Sequence, residues 1–378
     1  MLESFYQKMD VTNISLSNLP GNTSLDSSQV TSCVPLLDTT PELTMKTIAI
    51  LIVLLTALIG NSMVLAVIKK NSRIRTTVNY LILNMAVSEL LVPVVVLPRR
   101  ISRLYHPGNF QVGGVLGTLI CKFPYFCENL SAAVSMQSLV LLAVERYHAV
   151  VFPFKPPLMS DRVRFVIIGL SWFLGIAASS STLYTYQLRV SRSNNYCIYS
   201  WEPTFRTLSA FKYELVFFCL IFIALPFVIT SFCYIVIICA LNREKSSTQL
   251  ATQVRERRAK ENRQITLMSL LVLAMFLLAW VPTVIYLFIL TFSWNYKRRC
   301  GLESFQFISD FLTFTYPAVN PIIYYHFNEK FRQGFRELFN GRRSNCCFCC
   351  RTLRISSREE FDLTANHETP STVTTSTT

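Results

Sequence analysis

Seven long apolar segments constrain this chain more than any other feature of its sequence. A helix needs about 20 mostly apolar residues to cross a bilayer, and lipid tolerates only backbone whose polar groups are satisfied internally. The segments therefore predict an all-α membrane protein, a seven-transmembrane helix bundle. The predicted spans are Thr47–Ile68, Tyr80–Pro98, Leu119–Val144, Val163–Tyr184, Tyr213–Leu241, Ile265–Thr291 and Phe305–Phe327.

The composition favours a membrane protein and argues against nucleic-acid binding. Charged residues make up 15% of the 378 residues and hydrophobic residues 51%, whereas soluble domains carry about 25% charged residues. The net charge of +14 comes from Lys and Arg in short runs between the apolar segments, as in bilayer proteins. Because the sequence has no zinc-finger spacing or basic recognition helix, we expect no nucleic-acid partner.

The distribution of Lys and Arg predicts the orientation in the membrane. These residues are more frequent in the C-terminal tail and in the gaps after spans one, three and five than elsewhere, which indicates that those parts are cytoplasmic. We therefore expect a multi-pass plasma membrane protein with an extracellular N-terminus. The expected parts are an outer tail (1–44), the transmembrane domain (45–327), an amphipathic membrane-lying helix (328–340) and a disordered cytoplasmic tail (341–378).

The outer cysteines are candidates for disulfide bonds. Cys121 stands at the outer end of span three, and Cys197 stands in the outer loop 185–212. Both face the oxidising side of the membrane, so we expect a disulfide between them. Cys33 and Cys300 could form a second outer disulfide.

Two other groups of residues predict covalent modification. The Asn-X-Ser/Thr sequences at Asn13 and Asn22 predict glycosylation of the outer tail. A cysteine cluster after the amphipathic stretch predicts palmitoylation and anchoring to membrane lipid. A metal site is the alternative there, but no His or further Cys pair supports it. The cluster consists of Cys346, Cys347, Cys349 and Cys350.

An acid and a base lie side by side at the inner end of span three. Glu145 and Arg146 follow a long apolar run and precede Tyr147. Ions at such a place are costly unless they are paired, hydrated or functional. An interfacial salt bridge that caps the helix is the structural alternative to a functional pair.

The motifs on the seven spans resemble those of the rhodopsin-like (class A) G-protein-coupled receptors, over about residues 45–340. The chain has Glu89 where these receptors usually have Asp, and Ala279 where they usually have Cys. The stretch ERYHAVVFPFKP is also similar to neuropeptide receptors of the tachykinin, RFamide and neuropeptide Y group. In chain order, the matching features are GNSMVLAVI, LNMAVSELL, Cys121, ERY, Trp172, Pro226, FLLAWVP and NPIIY.

The resemblance implies a receptor that activates heterotrimeric G proteins by movement of the sixth helix, hinged at Pro282. In such receptors the Arg of the Glu-Arg-Tyr motif is held by its neighbouring acid at rest and meets the G protein on activation. Ordinary aromatic core is the alternative role for Phe276 and Trp280. The residues assigned to coupling are Glu145, Arg146, Tyr147, Tyr234, Phe276, Trp280, Pro282, Asn320, Pro321 and Tyr324.

Glu89 is the deepest charge in the predicted bundle, and it must face water, a cation or a hydrogen-bond network. Ser135 and Asn320 match two of the residues that hold an allosteric sodium ion in the family. A protonated Glu89 is the alternative to a sodium site. We expect no other cofactor, and not retinal, because Phe314 stands where an opsin has its Schiff-base lysine.

The ligand site is expected at the outer mouth of the bundle. Glu128 lies two helical turns after Cys121, about 10 Å inward, at what is a primary ligand-contact position in the family. Acids around a pocket favour a cationic ligand, such as an Arg-containing amidated peptide or an amine. The predicted ligand-binding residues are Glu128, Asp310, Glu214 and Trp280.

Two alternatives bear on that site. The acids could instead pair with Arg100, Arg103 or Lys212, and for Glu214 this is equally open. An amine receptor that uses Glu128 is the alternative to a peptide receptor. The apolar outer end of span five and the long outer loop favour a peptide.

The expected cytoplasmic partners are a G protein, a receptor kinase and arrestin. The terminal TPSTVTTSTT is suited to phosphorylation, because added negative charge favours arrestin recruitment. A non-signalling scavenger of the same fold and a transporter are the competing functions. No constellation of nucleophile and base indicates an enzyme.

Overall fold

The computed structural model describes residues 39–71, 76–106, 110, 112–191, 194–246, 253–294, 302–329 and 331–338. Several predicted modification sites and one predicted disulfide pair lie outside these ranges. They are Asn13, Asn22, Cys33, Cys300, Cys346, Cys347, Cys349 and Cys350.

Seven long helices dominate the described residues, and each contains all or most of one predicted span. The first four are α1 (Thr40–Lys70), α2 (Thr77–Tyr105), α3 (Gly114–Val151) and α4 (Asp161–Thr185). The last three are α5 (Thr207–Cys219 and Leu225–Ser246), α6 (Gln253–Phe288) and α7 (Glu303–Phe327). The prediction of an all-α seven-helix bundle is therefore confirmed.

Three π-helical turns interrupt this regular geometry. One lies within α2 (Val92–Val96), one joins the two halves of α5 (Leu220–Ala224), and one follows α6 (Ile289–Ser293). Such turns occur often at functional sites. The first contains Pro93, which has no N–H to donate to a regular helical ladder.

Six of the described helices, α1 to α6, are long and apolar enough to cross a membrane. The seventh, α7, is not among them. Polar side chains on α7 are buried against the other helices, including those of Ser309, Thr313 and Asn320. Its lower hydropathy therefore reflects polar groups that face the protein interior rather than lipid.

Capping residues explain where two of the helices begin. The Ser160 side chain accepts from the backbone N–H of Val163 at the start of α4, at 3.4 Å, and Thr76 accepts similarly from Asn79 at the start of α2. A side-chain oxygen at this position satisfies one of the free N–H groups of the first turn. These polar residues thus set the inner ends of two predicted spans.

Two glycines allow neighbouring helices to approach closely. A Cβ atom built on Gly60 of α1 would lie 2.9 Å from the ring of Pro321 on α7. A Cβ atom on Gly175 of α4 would lie 2.9 Å from Leu130 and 3.0 Å from Val134, both on α3. Small residues at such contacts are a common device of helix packing in membranes.

A two-stranded antiparallel hairpin covers the outer mouth of the bundle. Strands β1 (Tyr186–Ser191) and β2 (Asn194–Tyr199) follow α4 directly. The predicted disulfide is present and joins Cys121, on α3, to Cys197, on β2. The hairpin is therefore fixed to the helix that carries Glu128.

After α7 the chain forms a short further helix, α8, over residues 331–338. Phe331 is buried in the core, and Phe335 packs edge-on against Tyr325 with ring centroids 5.0 Å apart. Its exposed residues include Gln333 and Arg336. The two faces of α8 thus differ in polarity.

Candidate ligand pocket and coupling site

A cavity of about 1180 Å³ lies beneath the hairpin and among the outer halves of the helices. Small-molecule pockets typically measure about 300–1,000 Å³, so this cavity is large enough to take the end of a peptide. Its lining includes every residue predicted to bind the ligand, namely Glu128, Glu214, Asp310 and Trp280.

Two of the predicted acids share one guanidinium group. Arg100 of α2 lies 3.3 Å from the Glu128 carboxylate of α3 and 3.6 Å from the Asp310 carboxylate of α7. The same guanidinium lies over the ring of Phe314, 4.9 Å from its centroid. The sequence left this pairing open as an alternative, and in the structure Glu128 and Asp310 adopt it.

Glu214, on α5, has different partners. The Tyr199 hydroxyl donates to its Oε2 atom. The Trp201 indole N–H donates to the Tyr199 oxygen at 2.7 Å and more weakly to Oε2 of Glu214 at 3.4 Å. The Ser181 hydroxyl donates to its Oε1 atom at 2.8 Å. All three donors are neutral, and Glu214 has no ionic partner among the residues that the structure describes.

A row of tyrosines joins these two parts of the cavity. Tyr125 stacks on Tyr186 with ring centroids 3.7 Å apart, and Tyr186 meets Tyr199 edge-on at 5.6 Å. Tyr186 is fully buried and lines the cavity, and its hydroxyl has no hydrogen-bond partner among the described residues. Burial raises the pKa of this hydroxyl well above its usual value, so it stays a neutral donor.

The floor of the cavity is aromatic. Trp280 lines it and stacks on Phe276 below, with centroids 6.0 Å apart, and Phe276 meets Tyr316 edge-on at 5.1 Å. Pro282 lies within α6, two residues after Trp280. The bottom of the cavity is thus in direct contact with the core that surrounds the proline.

The three residues of the predicted sodium site lie together in the middle of the bundle. The Asn320 side-chain amide donates to Oε1 of Glu89 at 2.5 Å, and the Ser135 hydroxyl donates to the same atom at 3.5 Å. Oε2 of Glu89 and Oδ1 of Asn320 are buried and have no hydrogen-bond partner among the described residues. Free oxygens of this kind suit a hard cation, a proton or a water molecule.

The predicted acid–base pair is formed at the cytoplasmic end of α3. Arg146 Nε donates to Glu145 Oε2 at 2.6 Å. Arg146 is 8% exposed, and within the described part of the chain Glu145 is its one ionic partner. The position is therefore both paired and largely shielded from solvent.

The tyrosines assigned to coupling are buried near this pair. Tyr234 and Tyr324 are largely inaccessible to solvent. The Tyr324 hydroxyl contacts the Met85 sulfur at 3.8 Å, so it is directed toward α2. Tyr147 packs edge-on against Phe152, with centroids 6.1 Å apart.

The sequence reasoning missed the polar groups around Glu214. Tyr199 follows Cys197 by two residues in a strand, which places both side chains on one face, and this spacing could have identified Tyr199. It also missed a polar contact in which the Trp172 indole donates to Asn84 at 2.7 Å. A buried tryptophan usually needs such a partner.

Comparison with known proteins agrees with the fold. Residues 60–324 match the model of the family described as 7 transmembrane receptor (rhodopsin family). The chain is 31% identical to neuropeptide FF receptor 2 of Mus musculus over 303 residues, which cover 76% of this chain and 71% of that receptor. It is 27% identical to neuropeptide FF receptor 1 of Rattus norvegicus over 316 residues, covering 80% and 72%.

The substance-K receptor of Bos taurus is 26% identical over 323 residues, covering 85% of this chain and 80% of that receptor. These similarities confirm the predicted likeness to neuropeptide receptors and the prediction that the chain is not an enzyme. They also support a multi-pass protein of the plasma membrane. The chain belongs to the rhodopsin family of seven-transmembrane receptors, the class A G-protein-coupled receptors.

Proposed function

We propose that this receptor binds a cationic neuropeptide at its extracellular face and activates heterotrimeric G proteins by movement of α6. The charge of the cavity carries the proposal. Three carboxylates line it, against two guanidinium groups, those of Arg100 and the exposed Arg206. A cavity with excess negative charge concentrates positive ligands.

A peptide fits this cavity better than a small amine. The cavity is larger than most small-molecule sites, and Glu128, the expected amine contact, is already paired with Arg100. The relatives are named as receptors for neuropeptide FF and substance K. These observations make an amine receptor the second candidate.

The route from ligand to transducer runs through Trp280. A ligand on the cavity floor would contact Trp280, which stacks on Phe276. Trp280 lies two residues before Pro282, where the hinge of α6 is expected. A ligand shifts such an equilibrium only by binding the active arrangement more tightly than the resting one. The ligand must therefore make contacts near Trp280 that differ between the active and the resting arrangement.

The cytoplasmic side supplies the coupling surface. Arg146 is held by Glu145, as the resting state requires, and becomes available to the G protein when α6 moves. The connection between α5 and α6 is rich in Lys and Arg and complements an acidic partner. Intact Arg146, Asn320 and Tyr324 favour signalling over a scavenger role. The serine- and threonine-rich C-terminus would recruit a receptor kinase and arrestin.

Glu89, Ser135 and Asn320 would hold an allosteric sodium ion only weakly. The direct bond from Asn320 to Glu89 already occupies one carboxylate oxygen. An ion would have to use the free Oε2 atom of Glu89 and Oδ1 of Asn320. A protonated Glu89 competes with this arrangement.

A screen of the tagged receptor in intact cells tests the proposed function. Calcium and cyclic AMP would be recorded against a neuropeptide library that contains amidated peptides with and without Arg, with Arg146→Ala as the coupling control. We expect Arg-containing peptides to activate the wild type. Activation by small amines alone, or no response to any peptide at confirmed surface expression, would contradict the proposal.

A further inference from the structure

We infer that the positive group of the ligand binds at Glu214, in a subsite formed by Glu214, Tyr199 and Trp201 beneath the hairpin. This inference rests on the proposed function, since it concerns the same cavity and a cationic ligand. It assigns the cation contact to an acid other than Glu128, the position that the family resemblance favours.

Glu128 and Asp310 already have an ionic partner. Glu128 and Asp310 lie 3.3 and 3.6 Å from the guanidinium of Arg100, which also stacks over Phe314. A ligand cation at either acid would have to displace this arginine. Removing one partner from a largely buried ion pair leaves an uncompensated charge, which is strongly unfavourable.

The partners of Glu214 differ in charge from the partner of Glu128 and Asp310. Its three donors, Ser181, Tyr199 and Trp201, are neutral. They orient the carboxylate without cancelling its charge. A carboxylate accepts about four hydrogen bonds, and two of these donors share Oε2, so Oε1 keeps a free acceptor position. A cationic donor at Oε1 would form a charge-assisted hydrogen bond, the stronger kind.

Tyr186 contributes a further polar group to the cavity. Its side chain is fully buried and lines the same cavity, yet its hydroxyl lacks a partner within the described part of the chain. Buried polar groups without partners are rare in folded proteins. Its ring touches that of Tyr199, whose hydroxyl donates to Glu214. Glu128 and Arg100 are the charged groups that act on the Tyr186 hydroxyl, so a ligand that extends from Glu214 toward Arg100 can supply its missing partner.

The aromatic lining indicates the chemical class of the cation. Trp201 and Phe205 both line the cavity and meet edge-on, with centroids 5.8 Å apart. Cations bind favourably over the face of Trp, and the planar guanidinium combines such stacking with fork-shaped hydrogen bonding to carboxylates. The subsite thus fits an arginine side chain of a peptide better than an alkylammonium group.

The test compares a peptide with its uncharged counterpart on several receptor variants. The probe is the most potent Arg-Phe-amide peptide in the screen, and the matched probe has citrulline in place of that Arg. On the wild type we expect citrulline to reduce potency about tenfold or more, the scale of one charge-assisted contact. On Glu214→Gln this ratio should fall to about one to threefold, since the charge that distinguishes the probes is gone.

Glu128→Gln and Asp310→Asn are the matched controls. On both variants, replacing Arg by citrulline in the peptide should reduce potency as much as it does on the wild type, whatever the effect of the substitution on absolute potency. An undiminished penalty on Glu214→Gln, or a penalty that disappears on Glu128→Gln or Asp310→Asn, would overturn the inference. Surface expression of each variant would be measured through an N-terminal tag.

A chemical crosslink tests the same contact on the unaltered receptor, so it does not depend on the folding of Glu214→Gln. The probe is the same peptide with Lys in place of Arg, treated with a water-soluble carbodiimide. An amide bond then forms between the Lys amine and a nearby carboxyl group, while the carbodiimide leaves as its urea. Peptide mapping should find the link at Glu214. A link at Glu128 or Asp310, or none at Glu214, contradicts the inference.

Different results would contradict the proposed function and the Glu214 subsite. If no peptide activates the receptor, the proposed function fails, and the subsite fails with it. If peptides activate it but citrulline carries no penalty on the wild type, the peptide receptor stands and the Glu214 subsite is wrong.

Discussion

Asn320 on α7 donates its side-chain amide to the Glu89 carboxylate on α2, with 2.5 Å between the two atoms. Glu is one methylene longer than the Asp that is usual in the family, and this extra length lets the carboxylate reach α7 directly. The bond joins two helices that are far apart in the sequence, at a point where both residues are fully buried. The bond therefore occupies a carboxylate oxygen that a sodium ion would otherwise use.

We expect Glu89→Asp to make agonist binding more sensitive to sodium. The shorter side chain breaks the direct bond to Asn320 and leaves room for an ion between the two residues. Agonist affinity would be measured with sodium replaced by choline at constant ionic strength, on the wild type and on Glu89→Asp. A wild type that is as sensitive to sodium as the variant would contradict this reading of the Glu89–Asn320 bond.

Arg146→Ala should leave peptide binding intact and abolish G-protein activation. Arg146 lies at the inner end of α3, far along the helix from the cavity residue Glu128, so its loss removes the transducer contact and not the ligand site. Equilibrium binding of a labelled peptide and G-protein activation would be measured on the same membranes. Preserved signalling would exclude Arg146 from coupling.

Glu145→Gln should raise signalling in the absence of ligand. Within the described residues, Glu145 is the one ionic partner of Arg146, so neutralising it weakens the resting arrangement and shifts the population toward the active one. Basal cyclic AMP or calcium would be compared with the wild type at equal surface expression. Basal activity at or below that of the wild type would show that this pair does not restrain the receptor.

Gly175→Leu should lower the thermal stability of the purified receptor, whereas Gly169→Leu should not. Both glycines lie on α4, but a Cβ on Gly175 would lie 2.9 Å from Leu130, and a Cβ on Gly169 would have nothing within 4 Å. Overpacking typically costs about 1–3 kcal/mol. Melting temperatures in the same detergent would be compared, and equal values for the two variants would argue against tight α3–α4 packing at Gly175.

Arg100→Gln should reduce surface expression, and adding Glu128→Gln should restore part of it. Without Arg100, the Glu128 and Asp310 carboxylates lose the guanidinium that holds them together, and an unpaired buried charge is unfavourable. Removing one carboxylate relieves this cost, so the two substitutions should not be additive. Strictly additive losses would show that the three charges act independently.

The sequence was sufficient to predict the architecture because the dominant constraint is local. A bilayer demands a long apolar run for a helix that faces lipid, so six of the spans, from Thr47–Ile68 to Ile265–Thr291, could be recognised within their own segments. The seventh, Phe305–Phe327, is less apolar and needed the motif NPIIY as well. The disulfide between Cys121 and Cys197 could be predicted for a similar reason, since both residues belong to the oxidising side. Helix ends extended past the predicted spans, as in α4 (Asp161–Thr185), because a turn capped by Ser160 precedes the apolar run.

The pairing of charges in the cavity could not be predicted in the same way. Arg100, Glu128 and Asp310 come from three different helices, and their contact depends on how each helix is rotated about its axis. From the sequence, an ion pair of Glu214 with a nearby basic residue was equally open. In the structure, Glu128 and Asp310 form the ion pairs instead. The donation from Tyr199 to Glu214 depends on the register of the hairpin, which no local pattern determines.

The most direct measurement is nucleotide exchange on a heterotrimeric G protein by the purified receptor in lipid nanodiscs. The account predicts that an Arg-containing amidated peptide found in the screen accelerates exchange on the wild type. It also predicts that the same peptide still binds Arg146→Ala without accelerating exchange. Peptide binding to the wild type with no acceleration of exchange by any G-protein class would contradict the central claim.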